Sequence, residues 1–369
     1  MALFSSKKSF IGIDLGTSSI KVVELENEKG RPKLITYGFA EQSTDVIKSD
    51  SQEAQKEIVA ALKAIISQAK VTTMKAVAAL PSFAVFSSII SLPSMSKKDL
   101  VAAVRWEAKK FVPMPLEEMI LDWKVLNSDK KEDKGAKEDE VNDKRINTAQ
   151  PTGGSKNIRI LLTAAPKTLV KRYVDIFKQA NLQLVSLETE SFALERSLIG
   201  NDRSATMIVD IGAIACDISV IVDGIPILNR SVDIGGNTIT KAIANSLNVN
   251  LDRAEQFKRD FGISAAGDSS QGQIPRTIEF IVSSIINEIK FVLNLYQNQG
   301  ERAIEKVVLA GGSSFLPNLT SYLEKALNIK VFIGDPWARV VYPVDLKPVL
   351  QELGPRFAVS IGLAMREII

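Results

Sequence analysis

Phe10-Ile11-Gly12-Ile13-Asp14-Leu15-Gly16-Thr17-Ser18-Ser19-Ile20-Lys21-Val22-Val23-Glu24-Leu25 reads as an apolar strand, a glycine turn and a second apolar strand. The same order returns at Met207-Ile208-Val209-Asp210-Ile211-Gly212-Ala213, followed by Ile218-Ser219-Val220-Ile221-Val222. A glycine turn lets backbone N–H groups approach a phosphate with no Cβ in the way. One Asp-x-Gly says little. Two, at matching points of two similar halves, predict turns that grip a polyphosphate from both sides.

Outward from these turns the two halves keep the same order. Strands are expected near 9–15, 19–26 and 33–41, a helix over 53–69 with Ala54, Ile58, Ala61, Leu62, Ile65 and Ile66 on one stripe, and a strand at 75–80. The second half offers strands near 205–211, 216–222 and 226–233, helices over 236–247, 251–262 and 276–299, a strand at 306–310, a helix over 316–327 and a strand at 330–334. Between the halves, a strand at 84–92 precedes a helix over 96–111 carrying Leu100, Val101, Val104 and Ala108. Strands at 118–126 and 158–165, a helix over 166–180 and a strand at 182–187 follow. The expected division is a first core of 1–83 with 186–204, a β/α insert of 84–185, a second core of 205–235 with 303–369, and a helical insert of 236–302. Within the first insert, 13 of the 17 residues from Asp129 to Arg145 are charged. Residues 128–157 are therefore expected to form a disordered surface loop.

Composition excludes several chemistries. The chain of 369 residues is too long for one ordinary core, and 45% hydrophobic with 24% charged residues fits a soluble globular protein. It has no histidine, which removes Ser-His-Asp and Cys-His catalysis, histidine phosphotransfer and nearly all zinc enzymes. Cys216 lies between apolar stretches and is expected to be a buried, inert thiol in a reducing compartment. A net charge of +3 gives no case for nucleic acid as a partner. No secretory core precedes the first strand. Ala76 to Ser96 is free of charge, but Pro81, Pro93 and six serines make it two buried strands around a turn at Pro81-Ser82 rather than a membrane span.

The candidate site residues sit at strand ends. Gly16, Thr17 and Ser18 suit phosphate oxygens, Lys21 reaches the same oxygens as a point charge, and Asp14 suits a hydrated Mg²⁺. Asp210 is a second Mg²⁺ candidate beside Gly212; Asp217 reads equally as a turn cap. Asp233-Ile234-Gly235-Gly236 opens a helix whose N-terminal amides favour an anion. Gly311-Gly312-Ser313-Ser314 follows the strand Val307–Ala310 and opens another. Glu255 and Lys258, three apart in a helix, form an exposed ion pair by default, and a ribose or adenine contact if the helical insert overhangs the cleft.

Taken in order, these motifs resemble the ATPase superfamily of actin, heat-shock chaperones and sugar kinases. Phe10–Glu24, Trp106-Glu-Ala-Lys-Lys-Phe-Val-Pro-Met-Pro-Leu-Glu-Glu and Phe357-Ala-Val-Ser-Ile-Gly-Leu-Ala-Met-Arg366 resemble, within it, the PilM family of type IV pilus assembly. The resemblance implies a duplicated α/β, actin-like (ribonuclease H-like) fold with ATP and Mg²⁺ between two lobes. It also implies a cytoplasmic protein of the inner-membrane assembly platform, reaching the membrane only through partners. Those partners would be the N-terminal cytoplasmic tail of PilN, other pilus-machine proteins and further copies of itself. The tail would be an extended peptide between the first core and the β/α insert, with 96–126 supplying part of its groove. Within Glu188-Thr189-Glu190-Ser191, Ser191 stands where relatives place proline, and either glutamate is a candidate to order a hydrolytic water, Glu190 foremost. A slow ATPase serving as an assembly switch is the leading expectation. A sugar-type kinase and an FtsA-like division protein are the alternatives. The latter is set lower because no basic amphipathic anchor is legible after Arg366-Glu367-Ile368-Ile369.

Overall fold

The computed structural model describes residues 8–42, 49, 51–126, 157–263, 272–298, 300 and 302–369. In chain order, β1 (Ser9–Leu15), β2 (Ser19–Glu28) and β3 (Arg31–Glu41) form an antiparallel meander. The helix Gln52–Gln68 then leads to β4 (Lys75–Leu80), which lies parallel to β1. That helix starts where Ser51 accepts a hydrogen bond from the Ala54 amide at 3.1 Å, and it buries Ala54, Ile58, Leu62 and Ile65 as its apolar stripe requires.

A compact unit, Phe86–Lys167, comes next. It holds β5 (Phe86–Pro93), β6 (Met119–Leu126) and β7 (Asn157–Pro166) in the order β5-β7-β6, all antiparallel. The helix Lys97–Phe111 packs Leu100, Val104 and Ala108 into this unit's core. Val101, expected on that stripe, is 56% exposed, because the buried row advances by four residues and leaves its neighbour outside. The expected loop 128–157 lies outside the described residues except for Asn157, the first residue of β7.

The remaining chain forms the other compact unit with residues 1–85. The helix Lys167–Gln179 leads to β8 (Gln183–Thr189), which pairs in parallel with β4. The expected insert of 84–185 is thus divided differently: its last helix and strand continue the first sheet, and the separate unit ends at Lys167. The first sheet runs β3-β2-β1-β4-β8.

β9 (Thr206–Ile211), β10 (Cys216–Val222), β11 (Ile225–Val232), β12 (Lys306–Ala310) and β13 (Lys330–Ile333) form a second sheet, ordered β11-β10-β9-β12-β13. Three antiparallel strands are again followed by two parallel ones. The two halves are one topology used twice.

The helices Gly236–Leu247, Leu251–Phe261 and Gln273–Gln297 cover the second sheet; Ile239, Ile243, Ile278, Val282, Ile285 and Ile289 share a core with Val209 and Leu309. The last of them starts three residues earlier than expected, since Pro275 is tolerated in a first turn, where its missing N–H has no helical partner. The helix expected from 316 starts at Leu319, because Pro317 precedes Asn318 in a left-handed conformation (φ 65°). Cys216 is buried, and burial pushes its thiol further up, with Asp217 and Asp210 adding to the effect.

One apolar cluster joins the sheets: Val77 and Ala79 of β4 and Ile208 and Val308 of the second sheet meet Ala193, Ala358 and Leu363. The helix Ala358–Met365 lies so close to β1 that a Cβ at Gly12 would overlap the Ser360 carbonyl oxygen. Gly12→Ala is expected to cost about 3 kcal/mol or more, read as a fall in the urea midpoint at constant m. An unchanged midpoint would show that this packing gives way easily.

Candidate functional site

Both sheets end on one cleft of ≈ 1500 Å³, formed wholly within the larger compact unit. In the first hairpin Asp14 and Lys21 are cross-strand partners, and Lys21 Nζ lies 2.9 Å from Asp14 Oδ2. The ammonium hangs over the turn: a Cβ on Gly16 would stand 3.0 Å from it. Gly16, Thr17 and Ser18 line the cleft beside it.

In the second hairpin the register repeats, with Asp210 opposite Asp217. A carboxylate therefore occupies the place that Lys21 holds in the first. Burial pushes the Asp210 carboxyl up to about 7, helped by Glu190 and Asp14 and opposed by Lys21. Burial likewise holds Asp217 at about 7, with the nearby Ser231 hydroxyl opposing it and Asp210 and Asp233 adding to it. Asp217, read equally as a turn cap, lines the cleft.

Glu190, the first residue of the helix Glu190–Leu194, is pushed up to about 8 by burial and then by Asp217 and Asp14. Its Oε2 accepts from the Ser82 amide at 2.8 Å and the Ser82 hydroxyl at 2.7 Å. Glu188 points to other work. Arg196 grips it with two bonds, at 2.8 and 2.9 Å, and Arg366 Nε stands 3.2 Å away. Of the two glutamates only Glu190 lines the cleft. Ser191, in the place expected for proline, is buried and shares a 3.0 Å hydrogen bond with Thr189.

The third turn behaves otherwise than expected. The Gly236 amide donates to Gly212 O at 2.9 Å and the Asn237 amide to Ala213 O at 2.7 Å, so the helix N-terminus is spent on tying two turns together and not held open for an anion. What Gly236 supplies is room: a Cβ there would stand 2.6 Å from Ser313 Oγ and 3.3 Å from Lys258 Nζ. Gly235, wedged against Ala213, is buried and does not line the cleft.

Gly311 adopts φ +81°, and a Cβ there would run into Asp210 Oδ1. Only glycine gives both the angle and the clearance. Gly312 and Ser313 line the cleft, but they begin a 3-10 turn, Gly312–Phe315, and not the helix expected there.

Glu255 and Lys258 are not the exposed pair of the default reading. Lys258 is buried, and its Nζ donates to Glu255 Oε2 at 2.6 Å, Thr240 Oγ1 at 3.0 Å and Gly236 O at 3.3 Å. Burial lowers the Lys258 ammonium in spite of Glu255. Burial alone would raise Glu255, but the bonds from Lys258, Thr240 and Arg259 outweigh it and hold the carboxyl low.

Sequence reading passed over Ser82, Tyr173 and Arg356 as site residues. Arg356 lines the cleft beside Gly312, its guanidinium 5.5 Å over the Phe39 ring. The Tyr173 hydroxyl is pushed up by burial, then by Glu190 and Asp14. None of these residues sits in a glycine motif, so none carried a signal.

Asp14, Asp210, Asp217 and Glu190 line the cleft together with Lys21, Arg172, Lys258 and Arg356. Among the described residues no three His, Cys, Asp or Glu side chains are gathered to cage a metal. Mg²⁺ keeps several waters and is held by one or two carboxylates plus phosphate, so it needs no such cage. Asp14 and Asp210 would be those carboxylates, and the ion would neutralise phosphate charge.

A family model described as type IV pilus assembly protein PilM matches residues 12–368. The chain belongs to the PilM family. A solved PilM–PilN type IV pilus biogenesis complex superposes with a TM-score of 0.79 at 25% identity, over 97% of this chain and 98% of that one. The ethanolamine utilization protein EutJ of Carboxydothermus hydrogenoformans gives 0.56 at 16% identity, over 97% and 89%, a likeness of fold alone. The cell division protein FtsA of Neisseria meningitidis is 25% identical over 289 residues, 70% of this chain and 64% of its own length. FtsA of Bacillus subtilis is 21% identical over 90% and 80%. The fold is the duplicated actin-like one, and the pilus family is favoured over the division protein. No described helix is long and apolar enough to cross a membrane.

The raised carboxyls fix a sign for pH. Asp210, Asp217 and Glu190 keep in the folded state protons that the unfolded chain releases near pH 4, so their contribution is full below that pH and lost as pH rises to about 8. The nucleotide-free protein is expected to lose more than about 1 kcal/mol between pH 5 and 8 in urea titrations, and Asp217→Asn to flatten that loss. A stability that climbs over this interval would contradict the reading.

Proposed function

We propose that the cleft binds ATP with Mg²⁺, and that the bound nucleotide sets how the protein engages the N-terminal cytoplasmic tail of PilN within the pilus assembly platform. The observation that carries the reading is the convergence of the two matching hairpins, with Lys21 and Gly311–Ser313, on a single cleft. Gly16, Thr17, Ser18 and Lys21 would take the phosphates from the first lobe, and Gly312 and Ser313 from the second, where Gly212 and Gly311 leave room for them. Lys258, Glu255 and Thr240, one hydrogen-bonded network at the rim, suit the polar edge of a nucleoside. The protein is a nucleotide-loaded scaffold first and a slow ATPase second. It works on the cytoplasmic face of the inner membrane, held there by its partners.

Recognition of an extended tail draws support from the Phe86–Lys167 unit. Among the described residues β6 pairs on one side only, with β7, and it exposes Ile120 and Val125. An edge strand of this kind accepts another strand through backbone bonds while alternate side chains find pockets. Association with further pilus proteins and with copies of itself belongs to the same reading.

Lys21→Ala and Asp210→Ala are each expected to weaken Mg·ATP binding at least tenfold without unfolding the protein, as read by fluorescent-nucleotide titration beside a thermal scan. Unchanged affinity in both variants would remove the cleft from consideration. A pull-down with the PilN tail peptide should differ in yield with and without Mg·ATP; equal yields would refute the switch.

A further inference from the structure

Glu190 faces the cleft, but one residue holds it from behind. Ser82 gives the same oxygen, Oε2, both its backbone N–H at 2.8 Å and its hydroxyl at 2.7 Å. Pro81, Phe83 and Ala84 line the cleft while Ser82 does not. Ser82 is the first residue of the 3-10 turn Ser82–Ala84, so its amide has no acceptor inside that turn and is free for a side chain. Two donors on one oxygen restrain the tilt and twist of the carboxylate, and Oε1 remains the oxygen available to a water.

We propose that Ser82 is a positioning residue for nucleotide hydrolysis, acting through Glu190 by aiming Oε1 at the attacking water. This rests on the nucleotide reading above. In the step concerned, the water oxygen bonds to the terminal phosphorus as the bond from that phosphorus to the bridging oxygen breaks. The electron pair of the broken bond leaves on ADP, the water's proton passes to Oε1, and inorganic phosphate is the second product. Asp217, Asp14, Asp210 and Tyr173 surround Glu190, and burial with Asp217 and Asp14 pushes its carboxyl up to about 8, while the two bonds from Ser82 pull it down. The two bonds from Ser82 favour the charged form that a base must reach.

The experiment compares the full chain with Ser82→Ala, Ser82→Thr, Glu190→Gln and the Ser82→Ala/Glu190→Gln double variant. Mg·ATP affinity is measured by titration, and phosphate release by single turnover. Ser82→Ala is expected to slow single-turnover release about tenfold while affinity stays within about twofold, a loss confined to the chemical step. Ser82→Thr, which keeps the hydroxyl, should recover most of the rate. The double variant should be no slower than Glu190→Gln alone, since both changes remove one action. Apart from activity, the Ser82 amide of the nucleotide-free protein should exchange its hydrogen several-fold faster in Glu190→Ala than in the wild type.

A Ser82→Ala rate equal to wild type overturns the proposal. So does a rate that falls in step with affinity, which marks a merely structural serine. So does a wild type that binds ATP and releases no phosphate. A wild type that binds no nucleotide overturns the parent reading itself.

Discussion

Everything in the cleft depends on an unequal pair of hairpins. The same backbone register sets Asp14 against Lys21 in the first lobe and Asp210 against Asp217 in the second. The first pair neutralises itself; the second cannot. Carboxyl groups brought together away from water interact far more strongly than in bulk solvent, and they relieve the strain by keeping protons or by taking a cation. Burial, with neighbouring carboxylates adding to it, raises three of them well above the usual carboxylate range. A polyphosphate alone would be repelled by the charged form of this floor. A polyphosphate carrying Mg²⁺ would not.

The backbone around the floor is arranged to keep these groups in place. Gly236 and Asn237 donate to the Gly212–Ala213 turn, which ties two glycine segments together, and Gly311 donates separately to Pro355 O. Their amides stabilise the rim and are not available to a ligand. The groups left to meet a nucleotide are side chains, Lys21, Ser313, Lys258 and Arg356, together with the space that missing Cβ atoms leave. Glycine contributes here chiefly by what it omits.

Much of this was legible before any coordinates. Both hairpins, the helix that follows Gly235 and the strand before Gly311 were marked by apolar runs ended with glycine, a local signal that tertiary contacts only reinforce. Residues that work through distant partners left no such mark. Ser82 meets Glu190 across 108 positions of chain and looks like an ordinary turn serine, while Arg356 follows a proline in an unremarkable segment. Lys258 read as a surface lysine because spacing within a helix cannot say which face another element will cover. Val101 failed for the converse reason, since one residue of helical phase separates core from solvent. The edge of the β/α insert was misplaced because strand pairing decides it, and β8 returns to β4 from more than a hundred residues away.

Two glutamates two residues apart divide the labour of the segment that joins the lobes. Glu188, at the end of β8, is clamped by Arg196 and Arg366; Arg196 also donates to Gly362 O, and Arg339 donates to the Arg196 carbonyl. Glu190 opens the next helix and turns its carboxyl to the cleft. Between Arg196 and Gly362 the two connecting helices are bolted together, and the bolt begins at the strand end that aims Glu190. Packed interfaces of this sort take up discrete arrangements more readily than they bend. Under the nucleotide reading, Mg·ATP would be sensed by Glu190 and felt at Glu188 without any long relay, because only Thr189 stands between the two residues in the chain.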